Sequence, residues 1–73
     1  MKKDKVTVRN NITEEKRQLD EKIEKLSVFV IGVAFIGLGK DQKYAINAQL
    51  KAMNDYSKAL RDRIIDLTSQ EAE

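Results

Sequence analysis

Cysteine, histidine, proline and tryptophan are all absent from this chain, and phenylalanine and tyrosine occur only twice each. Without cysteine there can be no disulfide and no thiolate zinc site. Without histidine the chain lacks the commonest metal ligand and the usual general base at neutral pH. The absence of proline leaves helices free to run long. A charged fraction of 36% suits helices with exposed faces. Charge of one sign is scarce as well: a formal net charge of +2 is too small for a general DNA or RNA binder. Nor is there a long hydrophobic run. The most apolar segment, Val28 to Leu38, falls well short of the roughly 20 residues needed to span a bilayer. It follows many acidic groups and does not read as a signal peptide, so no membrane partner is expected and a cytoplasmic location is.

What is present is helical periodicity within 73 residues, enough for one small domain. Ile46, Leu50, Met53, Ser57, Leu60, Ile64 and Leu67 alternate four-then-three spacing, the stripe of a helix packed on other helices. Leu19, Ile23, Leu26 and Val30 form a matching stripe upstream. The organisation expected is a basic arm over residues 1–11, a helical hairpin over 12–68 and an acidic tail over 69–73, which carries Glu71 and Glu73. Within the hairpin, helix 1 is placed at about 13–31, an apolar bend at 32–40 and helix 2 at about 41–68. Lys2, Lys3, Lys5 and Arg9 outnumber Asp4 in the arm, where Val6 and Val8 alternate with polar residues and suggest a mobile tail or a short strand.

Asn10, Asn11 and Thr13 supply start chemistry for helix 1, with Glu14 and Glu15 suiting the positive end of its dipole. Glu21 and Lys25 are spaced as a surface pair. Gly32, Gly37 and Gly39 argue for the bend, with a one-turn helix near Ala34 to Leu38. Phe29, Phe35, Ile36 and Leu38 are expected to fold over that end. Asp41 is the expected N-cap of helix 2. Ser57, the polar member of the main stripe, is expected to bond a carbonyl of its own helix. Ala45, Ala52 and Ala59 repeat every seven residues and let another helix approach closely.

At about 1.5 Å per residue, helix 2 outreaches helix 1 and leaves Ile64, Ile65 and Leu67 to be covered by another copy or by the arm. The fold expected is therefore all-α: a two-helix antiparallel hairpin assembling into a homo-oligomeric helical bundle. Phe29, Phe35, Leu50, Met53, Leu60, Ile64 and Leu67 are its expected interface between copies.

Catalysis is not expected. Asp20, Glu21, Glu24, Asp55, Asp62 and Asp66 are interleaved with lysine and arginine as on a solvated face, and no cofactor or metal is implied. Gly37-Leu38-Gly39-Lys40 lacks the spacing of a phosphate loop. Gln49, Tyr56 and Arg63 recur every seven residues as a polar-aromatic row. Tyrosine can stack on a base and arginine can clamp a phosphate. Spacing alone favours the plainer reading of that row, tyrosines edging the core beside surface ion pairs.

The stretch Lys22-Ile23-Glu24-Lys25-Leu26-Ser27-Val28-Phe29-Val30, and Gln49-Leu50-Lys51-Ala52-Met53-Asn54-Asp55-Tyr56 continuing through Leu60, Arg61, Asp62, Arg63 and Ile64, resemble the helical-hairpin proteins of tailed bacteriophages, including the crAss-like group. Ala45-Ile46, Leu50, Ala52-Met53, Tyr56, Arg61 and Arg63 resemble, more loosely, phage anti-CBASS sponges. That likeness implies an oligomer that sequesters a nucleotide-derived immune second messenger, of cyclic oligonucleotide or cyclic ADP-ribose type, in an infected bacterial cytoplasm. It also implies Tyr56, Arg61 and Arg63 as ligand-binding residues, with Tyr44, Lys43 and Arg9 behind them. The alternative is a phage adaptor that binds a host protein through its apolar helical surface.

Overall fold

The structure is a computed structural model and describes residues 2–71. Its order is α1 (Lys2–Val30), a single turn α2 (Val33–Ile36) and α3 (Lys40–Glu71), with no strand among the described residues. The two long helices pack along one another. Asp20 of α1 meets Ser57 of α3, whereas Leu26 shares a groove with Gln49 and Met53, so α3 retraces α1 in the opposite sense. The result is a rod of 52 × 15 × 14 Å.

Every member of the predicted α3 stripe lies on the covered face: Ser57 and Leu60 are buried, and Ile46, Leu50, Met53, Ile64 and Leu67 are half-buried. The α1 stripe holds too and continues toward the N-terminus through Lys16, Ile12 and Arg9 at the same four-then-three spacing. Here the structure corrects the expected boundary. Residues 2–11 are neither an extended arm nor a strand but the first turns of α1, and Ile12, only 4% exposed, belongs to the core. The reason is visible at Thr13, whose hydroxyl donates to the Arg9 carbonyl at 2.8 Å. That is the mid-helix bond of a threonine, not a cap. Glu71 ends α3, while Glu73 lies outside the described residues.

Longer helix 1 also removes the length mismatch. The 29 residues of α1 rise about 43 Å and the 32 of α3 about 48 Å. Ile64 and Leu67 are thereby half-covered within the chain, and Leu60 is wholly so at 0% exposure. Leu60 is thus enclosed by its own chain and offers no surface to another copy.

The remaining corrections are local. α3 starts at Lys40, with its first bond running from the Lys43 N–H to the Gly39 carbonyl at 3.1 Å, so Asp41 sits in the first turn rather than at the cap. Glu21 accepts from Arg17 at 2.6 Å, in place of the pair expected with Lys25. At the bend, the Phe29 and Phe35 rings meet edge-on, 6.2 Å between centroids and 83° apart. The Lys43 ammonium lies 5.9 Å from the Phe35 ring centre, within cation–π range. Gly32 is extended, at φ −91° and ψ 167°, and a Cβ there would stand 3.3 Å from the Phe29 carbonyl oxygen, which already accepts the Gly32 N–H.

The apolar bend is only partly folded over. Ile31 is 82% and Val33 85% exposed, and Val28 and Ile36 are largely exposed as well. The whole chain exposes 5726 Å², about 1,100 Å² more than the roughly 4,600 Å² expected of a compact monomer of this mass.

Candidate functional site

Near the middle of the rod the seam between α1 and α3 turns polar. The Ser57 hydroxyl, buried at a heptad position of α3, donates to Asp20 Oδ1 at 2.5 Å. The bond crosses between helices, where one to a carbonyl of its own helix was expected. The other carboxylate oxygen, Oδ2, accepts from Lys16 Nζ at 2.6 Å. Lys16, one turn earlier on the same helix face, and Ser57 together hold the Asp20 carboxyl below its usual value, the lysine having the larger effect.

Beside this triad a groove of about 230 Å³ opens between the helices, walled by Lys16, Asn54, Ser57, Lys58 and Arg61. Asn54 Nδ2 donates to the Leu50 carbonyl at 2.9 Å, which leaves its second amide hydrogen available. Arg61 reaches Asp62 through one nitrogen at 3.3 Å. No ion pair among the described residues engages Lys58. The groove is therefore rimmed by hydrogen-bond donors. Among the described residues no group of three or more carboxylates is placed to hold a metal ion.

The sequence-predicted ligand residues are distributed along and around the rod. Arg61 lines the groove. Tyr56 and Arg63 do not: at about 100° per residue, Arg63 projects about 160° away from Arg61, on the same flank of α3 as Tyr56. Tyr56 is 46% exposed there, and Ala45, Ala52 and Ala59 beside it are exposed too. Gln49, the third member of the row, edges a separate groove of about 370 Å³ with Lys22, Lys25, Leu26 and Met53. Tyr44 is exposed and Lys43 half-buried near the bend, whereas Arg9 lies half-buried in the seam toward the other end. One chain thus brings Arg61 together with Lys16 and Lys58, and sets Tyr56 with Arg63 elsewhere.

Lys16, Asn54 and Lys58 are the residues that sequence reasoning passed over. Lys16 stands seven residues before Ile23, so a charge on an apolar heptad position was the available signal. Farther along α1, Arg17 donates to Glu14 and Glu21, at 2.6 Å each. Arg17 and then Gln18 lower the Glu14 carboxyl from 4.5 to about 2, and the two acids raise the Arg17 guanidinium further.

No helix among the described residues is long and apolar enough to cross a membrane. No curated protein and no solved structure matches the chain. A family does: the sequence pattern of the Sequestin family matches residues 7–66, which takes in the seam from Arg9 to Val30 and from Ile46 to Ile64, the bend and the groove. This chain belongs to the Sequestin family.

Proposed function

We propose that this chain is a phage counter-defence sponge: a helical hairpin that assembles with copies of itself and captures a nucleotide-derived immune second messenger without turning it over. The ligand class is a cyclic oligonucleotide or a cyclic ADP-ribose derivative, and the setting is the cytoplasm of an infected bacterium. The family name, with its sense of sequestering, is compatible with this reading. The observation that carries it is the clustering of donors: Lys58, which no ion pair among the described residues engages, and Arg61, which spends one nitrogen on Asp62, rim one flank of α3, while Arg63 and the exposed Tyr56 occupy the other. Such residues offer phosphate contacts and an aromatic face, which is what a nucleotide requires. Assembly is supported by the excess exposed surface, since about 800 Å² per partner makes a standard interface.

Calorimetry of the purified protein against cyclic di- and trinucleotides and cyclic ADP-ribose derivatives tests the reading. Saturable heat is expected with at least one of them, and its absence at micromolar protein for the whole panel would overturn capture.

The exposed Ile31, Val33 and Ile36 favour a second reading, a host-protein adaptor. An exposed apolar patch of this kind marks docking surfaces on small proteins. A stoichiometric host partner, retained by Arg63→Ala and lost by Ile36→Asp, would support the adaptor over the sponge.

A further inference from the structure

We propose that the groove walled by Lys16, Asn54, Ser57, Lys58 and Arg61 is an anion half-site for a phosphodiester or pyrophosphate group, completed by Tyr56 and Arg63 of a second copy. The inference deepens the sequestration reading and rests on it for the nucleotide that carries the phosphate. Three cations face the groove, and Asp20 and Asp62 are the carboxylates in contact with them, which leaves the wall net positive. The Asp20 carboxylate already holds the Ser57 proton, so Ser57 cannot donate to a ligand and serves to fix Asp20. The donors that remain are the Lys58 ammonium, most of the Arg61 fork, one Asn54 hydrogen and the two Lys16 hydrogens not used on Asp20. They come from both helices, which suits an anion with several oxygens pointing in different directions more than a single carboxylate.

Size argues for the second copy. Ligand pockets commonly measure about 300–1,000 Å³, and the groove, at about 230 Å³, takes a phosphate or pyrophosphate but not the base and sugar. No tyrosine of the same chain lines the groove: Tyr56 lies on the far flank of α3, and Tyr44 stands near the bend. A neighbouring copy can supply Tyr56, and the alanines beside it let that neighbour approach closely.

The test is a titration of the ¹⁵N-labelled full chain with sodium pyrophosphate, at ionic strength held constant with chloride. Saturable shifts are expected at Asn54, Lys58 and Arg61. Lys58→Glu, on an exposed side chain, is expected to weaken binding by about tenfold or more. Asp20→Asn, which frees Lys16, is expected to tighten it, and far-UV circular dichroism checks that both variants stay helical. Shifts that fail to saturate, or that persist unchanged in Lys58→Glu, overturn the groove assignment. In parallel, calorimetry with the cyclic nucleotide panel separates the two claims. A nucleotide bound equally well by wild type and Lys58→Glu removes the groove and leaves sequestration standing. Saturable pyrophosphate with no nucleotide bound does the reverse. Tyr56→Ala is expected to weaken the nucleotide and spare pyrophosphate; an unchanged nucleotide affinity overturns the contribution of the second copy.

Discussion

The stretch of the rod around Ile12, Asp20, Ser57 and Leu60 is closed by its own chain, whereas the end around Ile31, Val33 and Ile36 leaves branched aliphatic side chains in water. Two long helices can bury a seam where each supplies residues from both sides and where long polar side chains such as Lys16 and Arg9 lay their stems along it. A single turn such as α2 has no such reach. It directs Phe35 inward against Phe29, and Val33 and Ile36 outward. The contrast teaches that the residues holding the chain together and the largest apolar surface it leaves uncovered lie in different parts of the molecule.

The sharpest way to break the comparison is a matched pair of truncations. Leu60→Ala empties a wholly enclosed site and is expected to lower stability by about 2–5 kcal/mol. Ile36→Ala, at an exposed position, is expected to stay within about 0.5 kcal/mol. Urea unfolding followed by circular dichroism measures both. A loss at Ile36 that grows with protein concentration would mean that copies cover the tip.

Acid divides the two regions next. The Glu14 carboxyl is lowered from 4.5 to about 2, and the Asp20 carboxyl is lowered from 3.8. Their charged forms are favoured by folding, so their contribution is complete above the ordinary carboxylate range. It is lost as pH falls from about 4.5 toward about 2. Leu26 to Gly39 contains no titratable side chain. Amide exchange is therefore expected to quicken around Glu14 and Asp20 in acid, with little change through the bend beyond the intrinsic pH effect. Equal acceleration in both would dissolve the distinction.

The smallest effect lies within the bend. Gly32→Ala brings a Cβ to 3.3 Å from the Phe29 carbonyl, while at Gly39 nothing lies within 4 Å. Gly32→Ala is expected to lower the midpoint of thermal unfolding by a few degrees, and Gly39→Ala to leave it level or raise it slightly. The reverse order would show that the turn is set elsewhere.

Much of the helical pairing was legible in the residues. The stripe from Ile46 to Leu67 and its partner from Leu19 to Val30 occupy the covered faces, because three-and-four spacing has few other meanings. The start of α1 was misread for a physical reason. Asn10, Asn11 and Thr13 have cap chemistry, but Thr13 uses its hydroxyl on Arg9, and the seam runs on beneath Arg9 and Lys16, whose charged ends conceal their apolar stems. The groove was less legible still. Lys16, Asn54 and Lys58 gather only once the register between helices is known, and no spacing within one helix encodes that register. Arg61 and Arg63 look adjacent in the sequence, yet the helical turn separates them.

The hydrogen bond between Ser57 and Asp20 also works as a key in a slot. Sliding α3 by one turn, about 5.4 Å, would set the carboxylate against Met53 or Leu60 and leave it facing hydrocarbon. The helices are thereby fixed lengthwise, and each copy carries its greasy end at one set distance from its cationic notch. Any assembly built from such units inherits that interval as its ruler.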